Sequence, residues 1–351
     1  MNTARWARIL IVESSPEAAA RLSSGISNDP RLAVAGAALN ADEAVAMQLA
    51  LSPDVMTVDL ALPDEAAFDA IARVLAQHHL PIIAISTPSQ DGSPGLAFRA
   101  LLAGAADVIP HPAADQSTHA GFFSDLNERI ASLAQSRSVP THPPLDVDRR
   151  KRLPVAGAIE CVVVGASTGG PNALMQLLAG LDEDFAAPIL VVQHIAAPFV
   201  EGLVKWLNAE TRLHVKLADA DEALVPGTVY VARPESDLKL KNRTTLAVEN
   251  AAGKSRKLAP SVDALFESAA RIFGSRCAAV LLSGMGKDGA AGLLAVRTKG
   301  GKTFAQDQRT SIIYGMPAAA VDVGAVECSA DPTTIAALLK DLLAPDKGKD
   351  S

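Results

Sequence analysis

Several residue types are scarce in this 351-residue chain, and each scarcity excludes a class of protein. The three cysteines, Cys161, Cys277 and Cys328, form no C-x-x-C pair. We therefore expect no disulfide framework and no structural zinc site, as is usual in a reducing compartment. The seven histidines show no metal-ligand spacing. Aromatic residues make up only 4% of the chain, so aliphatic side chains must fill its cores.

Long apolar runs and an excess of positive charge are also absent. No stretch approaches the ~20 apolar residues that a membrane helix needs. The short apolar run near the N-terminus meets Glu13 at once, which argues against a signal peptide. The formal net charge is −7, which argues against a general nucleic-acid binder. We expect a cytoplasmic protein with no direct membrane insertion and no nucleic-acid partner.

Apolar segments of strand length alternate with Ala- and Leu-rich segments of helical length throughout the first part of the chain. Strands separated by helices are typical of crossover connections and a parallel sheet. We therefore predict a doubly wound α/β domain over residues 1–134. Its predicted strands are 8–12, 32–36, 54–59, 81–86 and 106–110.

A second α/β domain is predicted after a change of composition. The proline-rich, charged stretch 135–157 is predicted to be a linker, and its basic residues are interpreted as solvated because the chain as a whole is acidic. The alternation resumes over 158–345 and ends in a polar tail, 346–351. The fold class is therefore α/β, with two doubly wound, mainly parallel-sheet domains of which the second is larger.

Two local features of the second domain are also predicted. Pro260 stands where a first helical residue belongs. The segment 236–250 alternates as an antiparallel hairpin does, with its turn around Asn242 and Arg243.

The segment "VVVGASTGGPNAL" (162–174) runs from an apolar strand through small residues into a helix. Three functions are open for it: a phosphate cradle, an exposed nucleophile, or a tight turn. The dinucleotide fingerprint G-x-G-x-x-G and its acidic partner ~20 residues later are missing. "GASTG" does match G-x-S-x-G, which presents a serine, here Ser167, at a strand-to-helix turn.

A serine nucleophile needs a base, and the base needs an orienting acid. His194 ends the next predicted strand, and Asp288 lies in a glycine-rich turn after a later one. Because parallel strands end at the same edge of a sheet, we expect all three side chains to lie close together. The N–H groups of Gly284, Gly286 and Gly289 offer an anion site nearby. The chain order Ser, His, Asp differs from the Ser, Asp, His order of α/β-hydrolases.

The chain resembles the chemotaxis protein-glutamate methylesterase (CheB) family. Five motifs occur in that family's order and spacing: "GASTGGP", "QHI", "PSVDALFESAA", "LLSGMGKDGAAG" and "AQDQRTSIIYGMP". The resemblance implies that Ser167 is the nucleophile, His194 the general base and Asp288 its orienter. It also implies the Met285 N–H as an oxyanion donor, supported by Thr168, Gly284 and Gly286.

The resemblance also implies a reaction and partners. The reaction is hydrolysis of glutamate γ-methyl esters on chemoreceptor cytoplasmic helices, and often deamidation of receptor glutamines, without a cofactor. A chemotaxis histidine kinase is a further implied partner. This chain departs from the family at Asp237, where His is usual, at Arg233, where Pro is usual, and at Ala259, where Arg is usual. These departures bear on receptor preference.

The first domain resembles a response-regulator receiver that has lost part of its site. Asp59 matches the phosphoacceptor and Ser86 the small hydroxyl residue. Of the two acids that hold Mg²⁺ in receivers, Glu13 is kept in altered form and Ser14 replaces the other. The fifth residue, His111, stands in place of the usual lysine. Losing a carboxylate weakens a site for a hard cation, so we expect poor Mg²⁺ binding and no confident metal site.

Three alternatives remain open on the sequence. In the first alternative, Asp59 is an ordinary aspartate at the end of a strand and not a phosphoacceptor. In the second alternative, the chain is a non-catalytic chemosensory adaptor. In the third, it is an esterase for an unrelated small ester. The intact Ser167, His194 and Asp288 favour an enzyme over an adaptor.

Overall fold

The computed structural model describes residues 6–77, 80–87, 95–111, 119–136, 159–251 and 259–343. The chain divides into two compact units, Met1–Pro140 and Thr141–Ser351. Apart from residues 135 and 136, which end a helix, the predicted linker lies outside the described residues, as does the predicted tail.

The first unit is built around a five-stranded sheet in the order β2-β1-β3-β4-β5, in which neighbouring strands are parallel. The crossover helices connect these strands, as the alternation of the sequence predicts. Its elements are β1 (Ala7–Val12), α1 (Pro16–Ser27), β2 (Leu32–Ala38), α2 (Ala41–Leu51), β3 (Val55–Asp59), α3 (Ala66–Gln77), β4 (Ile82–Ser86), α4 (Gly95–Leu102), β5 (Asp107–Pro110) and α5 (His119–Ser136).

The second unit contains a seven-stranded parallel sheet in the order β14-β13-β12-β6-β7-β9-β8, and an antiparallel hairpin, β10-β11. The predicted fold class is therefore confirmed. The elements are β6 (Cys161–Ala166), α6 (Gly170–Ala179), β7 (Ile189–Gln193), α7 (Val200–Glu210), β8 (His214–Leu217), β9 (Thr228–Val231), β10 (Ser236–Asn242), β11 (Thr245–Asn250), α8 (Val262–Phe273), β12 (Cys277–Leu281), α9 (Ala290–Thr298), β13 (Lys302–Gln306), α10 (Met316–Asp322), β14 (Cys328–Ala330) and α11 (Pro332–Leu343).

The central strands β6 and β12 are buried along their whole length. Near-continuous apolar strands of this kind are expected where helices cover both faces of a parallel sheet. Gly165 of β6 lets helix α8 approach closely, because a Cβ there would lie 2.2 Å from Val262 Cγ1. The missing side chain thus brings the start of α8 directly against the strand that leads to Ser167.

The prediction that Pro260 begins a helix is wrong. Helix α8 begins at Val262, and its N-cap is Ser261, whose side chain accepts a hydrogen bond from the Ala264 N–H at 3.3 Å. A capping serine oxygen competes well for the first free N–H groups of a helix. Pro260 therefore lies outside the helix, and its carbonyl faces the candidate site instead.

The hairpin is present, but its predicted turn is misplaced by one residue. Asn242 is still paired with Thr245, so the turn residues are Arg243 and Thr244. The Asn242 side chain accepts from the Thr244 N–H at 2.8 Å. Asparagine favours this turn-forming contact with the backbone two residues on. The short elements β8, α10 and β14 were not predicted, since segments of three to seven residues carry too little periodicity.

Candidate active site

Three adjacent strands of the larger sheet end at the candidate site. Ser167 follows β6, His194 follows β7, and Asp288 lies in the loop between β12 and α9. The strand order β12-β6-β7 places the serine strand between the other two. This order brings His194 into contact with Asp288, although the two residues are far apart in the chain.

Ser167 sits in a tight turn between β6 and α6. Its N–H donates to the Ser283 carbonyl at 3.0 Å, and its carbonyl accepts from the Gly170 N–H at 2.7 Å. Gly169 has φ of +76°, which glycine adopts without strain. The side chain is partly exposed, and its Oγ forms no hydrogen bond to any residue that the structure describes. The Ser167 hydroxyl is therefore partly accessible to solvent.

Gln193 connects the backbone of Ser167 to that of His194. Its side-chain Nε2 donates to the Ser167 carbonyl at 2.8 Å and to the His194 carbonyl at 3.0 Å. The His194 N–H in turn donates to the Ala166 carbonyl at 2.9 Å. Gln193 is 5% exposed. One buried amide therefore holds the candidate nucleophile and base at a common strand edge.

His194 and Asp288 form a contact between the imidazole ring and the carboxylate. His194 Nε2 lies 3.1 Å from Asp288 Oδ2 and 3.1 Å from the Pro260 carbonyl oxygen. Both neighbours are acceptors, so Nε2 carries the proton and Nδ1 is the unprotonated nitrogen. Of the two ring nitrogens, Nδ1 is therefore the one whose lone pair can accept a proton.

The Asp288 carboxylate is held by four donors. Oδ2 accepts from the Val262 N–H at 2.8 Å as well as from His194, and Oδ1 accepts from the Asp263 N–H at 3.0 Å and from Ser261 Oγ at 3.2 Å. Burial alone would raise the pKa of Asp288, but the hydrogen bonds from His194, Asp263 and Val262 outweigh it and lower the pKa to about 2. Asp288 is therefore ionised at neutral pH.

The predicted oxyanion residues lie in the loop beside Ser167. Gly284 packs against the nucleophile, because a Cβ there would lie 2.7 Å from Ser167 Cβ. Its N–H donates to the Ile313 carbonyl at 3.0 Å and is not available to substrate. Met285 follows and is partly exposed, while Gly286 has φ of +89° and is exposed. The Met285 N–H stays the predicted oxyanion donor, with Gly284 supporting the loop.

Thr168 supports the same region from the other side. It is buried, and its carbonyl accepts from Ser283 Oγ at 2.8 Å. Ser283 also accepts from the Ile313 N–H at 3.0 Å, and Ser283 N–H donates to Gln306 Oε1 at 2.8 Å. These contacts connect the Ser167 turn to the loop that carries Asp288.

The three residues that depart from the family pattern differ in burial and in contacts. Asp237 is fully buried, and its Oδ1 accepts from the Ser261 N–H at 3.2 Å. Arg233 binds the Ala218 carbonyl at 2.8 Å and lies beside Asp219. Ala259 is exposed. Asp237 therefore acts beneath the N-cap of α8 rather than on a substrate-facing surface.

The sequence did not single out four contributors to the site. Gln193, Pro260, Ser261 and Asp263 all contact the candidate triad residues. The available signal was that they lie within "QHI" and "PSVDALFESAA". Their roles depend on backbone and side-chain contacts across 25 residues or more, which no local pattern encodes.

The receiver-like residues also gather at one sheet edge, in the first unit. Glu13 follows β1, Asp59 ends β3, Ser86 ends β4 and His111 follows β5. Glu13, Asp59 and Ser86 are buried, whereas His111 is exposed.

Ser14 is the residue that replaces an acid at this edge. Its hydroxyl donates to Asp59 Oδ2 at 3.3 Å, and the Ala61 N–H donates to Asp59 Oδ1 at 2.9 Å. Burial, reinforced by the neighbouring Asp59 charge, raises the pKa of Glu13 to about 7. Within the described ranges, Glu13 Oε2 is buried without a hydrogen-bond partner. Glu13 is therefore partly protonated at neutral pH, while Asp59 accepts hydrogen bonds from Ser14 and Ala61.

Metal-binding clusters and membrane-spanning helices were considered only among the residues that the structure describes. Over those residues, no group of three or more His, Cys, Asp or Glu side chains is arranged to hold a metal ion. Among the helices of the described ranges, none combines the length and apolar character needed to cross a membrane.

The chain is similar to known proteins over nearly its whole length. The CheB methylesterase family model matches residues 162–339, and the response regulator receiver domain model matches residues 9–121. Protein-glutamate methylesterase/protein-glutamine glutaminase 2 of Anaeromyxobacter dehalogenans is 40% identical over 321 residues, 91% of this chain and 92% of that protein. Protein-glutamate methylesterase FrzG of Myxococcus xanthus is 40% identical over 276 residues, 78% of this chain and 80% of that protein.

A solved structure agrees with these relatives. The crystal structure of the Thermotoga maritima CheB methylesterase catalytic domain superimposes with a TM-score of 0.50 at 34% identity, covering 53% of this chain and 100% of that one. The chain therefore belongs to the CheB methylesterase family, and its first unit carries a response regulator receiver domain.

Proposed function

We propose that this protein hydrolyses glutamate γ-methyl esters of chemoreceptors, with Ser167, His194 and Asp288 as its catalytic triad. The observation that carries this proposal is the arrangement of the three residues at the ends of β6, β7 and the loop after β12, with His194 Nε2 3.1 Å from Asp288 Oδ2. Serine, imidazole and carboxylate in this relation perform acyl transfer on unrelated folds.

The first half of the reaction forms an acyl-enzyme. Ser167 Oγ attacks the ester carbonyl carbon while His194 Nδ1 takes its proton, and the Asp288 carboxylate stabilises the resulting imidazolium. The Met285 N–H and the N-terminus of α6 stabilise the oxyanion. The tetrahedral intermediate then breaks its bond to the methoxy oxygen. His194 returns the proton to that oxygen, and methanol leaves.

The second half of the reaction releases the receptor glutamate. A water molecule attacks the acyl carbon, and His194 Nδ1 takes its proton. The bond to Ser167 Oγ breaks, and the proton on His194 restores the hydroxyl. The net reaction consumes one water and yields methanol and a free γ-carboxylic acid, which ionises at neutral pH. Every proton transfer uses the triad, so no cofactor is required.

The same machinery extends to glutamine deamidation. The relatives of this chain are named protein-glutamine glutaminases as well as methylesterases. An amide carbonyl passes through the same acyl-enzyme, with His194 protonating departing ammonia instead of methanol. Substrates of both kinds lie on the cytoplasmic helices of chemoreceptors, which would place the protein in the cytoplasm.

We further propose that the receiver domain responds weakly to phosphorylation. Asp59 is the candidate phosphoacceptor, and a chemotaxis histidine kinase is the expected donor. With Ser14 and His111 in place of an acid and a lysine, the phosphorylated state gains fewer interactions over the unphosphorylated one. Weak Mg²⁺ binding is proposed for the same reason.

Substitution of Ser167 by alanine tests the proposed activity. We expect Ser167→Ala to lower methanol release from a purified methylated receptor fragment by about 10⁴-fold or more, because the nucleophile is lost. Ser24→Ala, at an exposed position in the receiver domain, is the matched control and should release methanol at the wild-type rate.

The same assay separates the alternatives. An adaptor would release no methanol in the wild type. An esterase for an unrelated ester would hydrolyse a small acetate ester but leave the receptor methylated. Retained methanol release by a folded Ser167→Ala variant would overturn the triad assignment.

A further inference from the structure

Two helix N-termini meet next to the candidate catalytic carboxylate. Helix α8 begins at Val262 and helix α9 begins at Ala290. Asp288 lies two residues before α9, and Asp263 is the second residue of α8. The start of each helix therefore carries an aspartate that faces the other helix.

The two aspartates cap each other's helix. Asp288 accepts from the N–H groups of Val262 at 2.8 Å and Asp263 at 3.0 Å, which belong to the first turn of α8. Asp263 Oδ1 accepts from the N–H groups of Gly289 at 2.9 Å and Gly292 at 2.7 Å, which belong to the start of α9. Each carboxylate thus satisfies donors that a helix N-terminus leaves free, and together they form a reciprocal cap.

Close packing of the two helices makes the reciprocal cap possible. A Cβ on Gly292 would lie 2.6 Å from Phe266 Cβ and 3.0 Å from Asp263 Cα. A Cβ on Gly289 would lie 2.6 Å from Val262 Cγ1, and Gly289 has φ of +93°. Only glycine fits at these two positions, and both N–H groups thereby reach Asp263.

The reciprocal cap is costly in electrostatic terms. Burial raises the pKa of Asp263, and the neighbouring Asp288 charge raises it further, against the Gly292 and Gly289 N–H groups. The two carboxylates therefore repel each other across the reciprocal cap when both are ionised. A functional reason for Asp263 is that it holds the short segment from Asp288 to Gly292 in the orientation that His194 requires.

We propose that Asp263 is a positioning residue for the Asp288 carboxylate, which it holds against His194 by binding the Gly289 and Gly292 N–H groups. This proposal rests on the proposed catalytic roles of His194 and Asp288. Asp263 acts on α9 through one acceptor oxygen, Oδ1. The acceptor, rather than the charge, is therefore what the site needs.

Asp263→Ala and Asp263→Asn separate the acceptor from the charge. Alanine removes the acceptor, so we expect kcat for methanol release to fall about tenfold to 100-fold with KM within about twofold, as misplaced catalytic groups do. Asparagine keeps an Oδ1 acceptor and should hold kcat within about threefold of wild type. Glu267→Ala is the matched control, because Glu267 is an exposed acid one turn further along α8.

A spectroscopic readout distinguishes positioning from general destabilisation. The His194 Nε2 proton that binds Asp288 should give a low-field proton resonance in the full-length protein. We expect that resonance to persist in Asp263→Asn and to shift or broaden in Asp263→Ala. If Asp263→Ala does not fold, Asp263→Glu takes its place, since it moves the acceptor by one methylene and carries the same expectation.

The outcomes also separate this proposal from the proposed function. Labelling of Ser167 by a serine-reactive fluorophosphonate measures triad alignment without any receptor. A wild type that is labelled but leaves the receptor methylated would count against the substrate, while the labelling rates of the Asp263 variants would still test the positioning. The positioning role would be overturned if folded Asp263→Ala kept the kcat, the labelling rate and the proton resonance of the wild type. It would also be overturned if Asp263→Asn were as impaired as Asp263→Ala.

Discussion

At the scale of single residues, the candidate active site depends on the orientation of the His194 imidazole ring. His194 Nε2 is held between Asp288 Oδ2 and the Pro260 carbonyl oxygen, each at 3.1 Å. This leaves Nδ1 as the only ring nitrogen that can act as a base. Asp288 has its own four donors, so it keeps its charge and its position while the ring gains and loses a proton.

Replacing Asp288 by asparagine tests this orientation. We expect Asp288→Asn to lower kcat by about 10³- to 10⁴-fold, because the amide no longer holds the productive tautomer or stabilises the imidazolium. KM should change little, since Asp288 does not touch substrate. Steady-state methanol release from the methylated receptor fragment measures both constants. If Asp288→Asn kept the wild-type kcat, Asp288 would have no catalytic role and would serve only in the turn.

The folding stability of Asp288→Asn should depend less on acidic pH than that of the wild type. The pKa of Asp288 is lowered from 3.8 to about 2, so Asp288 remains ionised at neutral pH. A lowered pKa stabilises the folded state above pH 3.8, and this contribution is lost as the pH falls towards 2. Asp288→Asn should therefore lose less stability than the wild type as the pH falls from 3.8 towards 2. The unfolding temperatures of the two proteins, measured across this pH range, check this expectation.

At the scale of secondary-structure elements, the ends of β6 and β7 are joined by a side chain. Gln193 ends β7, and its amide donates to the carbonyls of Ser167 and His194. The His194 N–H also connects these two strand ends, because it donates to the Ala166 carbonyl at 2.9 Å. The alignment of nucleophile and base is thus a property of two strand ends rather than of either residue alone.

Gln193→Glu tests this connection. The new carboxylate would face two carbonyl oxygens with no proton to donate, so we expect a loss of about 1–3 kcal/mol of stability. We also expect a fall in kcat larger than any change in KM. Gln176→Glu, on an exposed position of α6, controls for the added charge. Equal unfolding temperatures and rates in the two variants would show that the Gln193 amide is dispensable.

At the scale of the whole molecule, a candidate triad with all three residue types present is combined with an altered receiver. The candidate triad residues are all present, whereas the receiver edge has Ser14 bonded to Asp59 and an exposed His111. A ligand or modification shifts a conformational equilibrium only by its differential interaction with the two states. Catalysis and phosphorylation response are therefore expected to be separable in this protein.

Treatment with a small phosphodonor and Mg²⁺ tests that separation. We expect methanol release by the full-length protein to change by less than about threefold, because a small differential interaction moves the equilibrium little. The double variant Ser14→Asp, His111→Lys restores the acid and the cation and should gain activation. Strong activation of the wild type that is abolished by Asp59→Ala would mean that Glu13 and His111 suffice.

The alternation of strands and helices could be predicted from the sequence, and with it both parallel sheets and the sheet edge near which Ser167, His194 and Asp288 lie. These features are local: apolar periodicity, glycine in tight turns and the right-handed crossover act over a few tens of residues. The predicted proximity of the three residues followed from them, because parallel strands end at one edge.

How those residues are held could not be predicted, because it depends on contacts between segments that are distant in the chain. The ring orientation of His194 depends on the Pro260 carbonyl, 66 positions away, and the Asp288 position depends on N–H groups 25 and 26 positions away. The N-cap at Ser261 displaced Pro260 from the helix it was predicted to begin. Such contacts form when packed helices bring free backbone donors against buried carboxylates, and their cost and benefit depend on burial, which the order of residues along the chain does not specify.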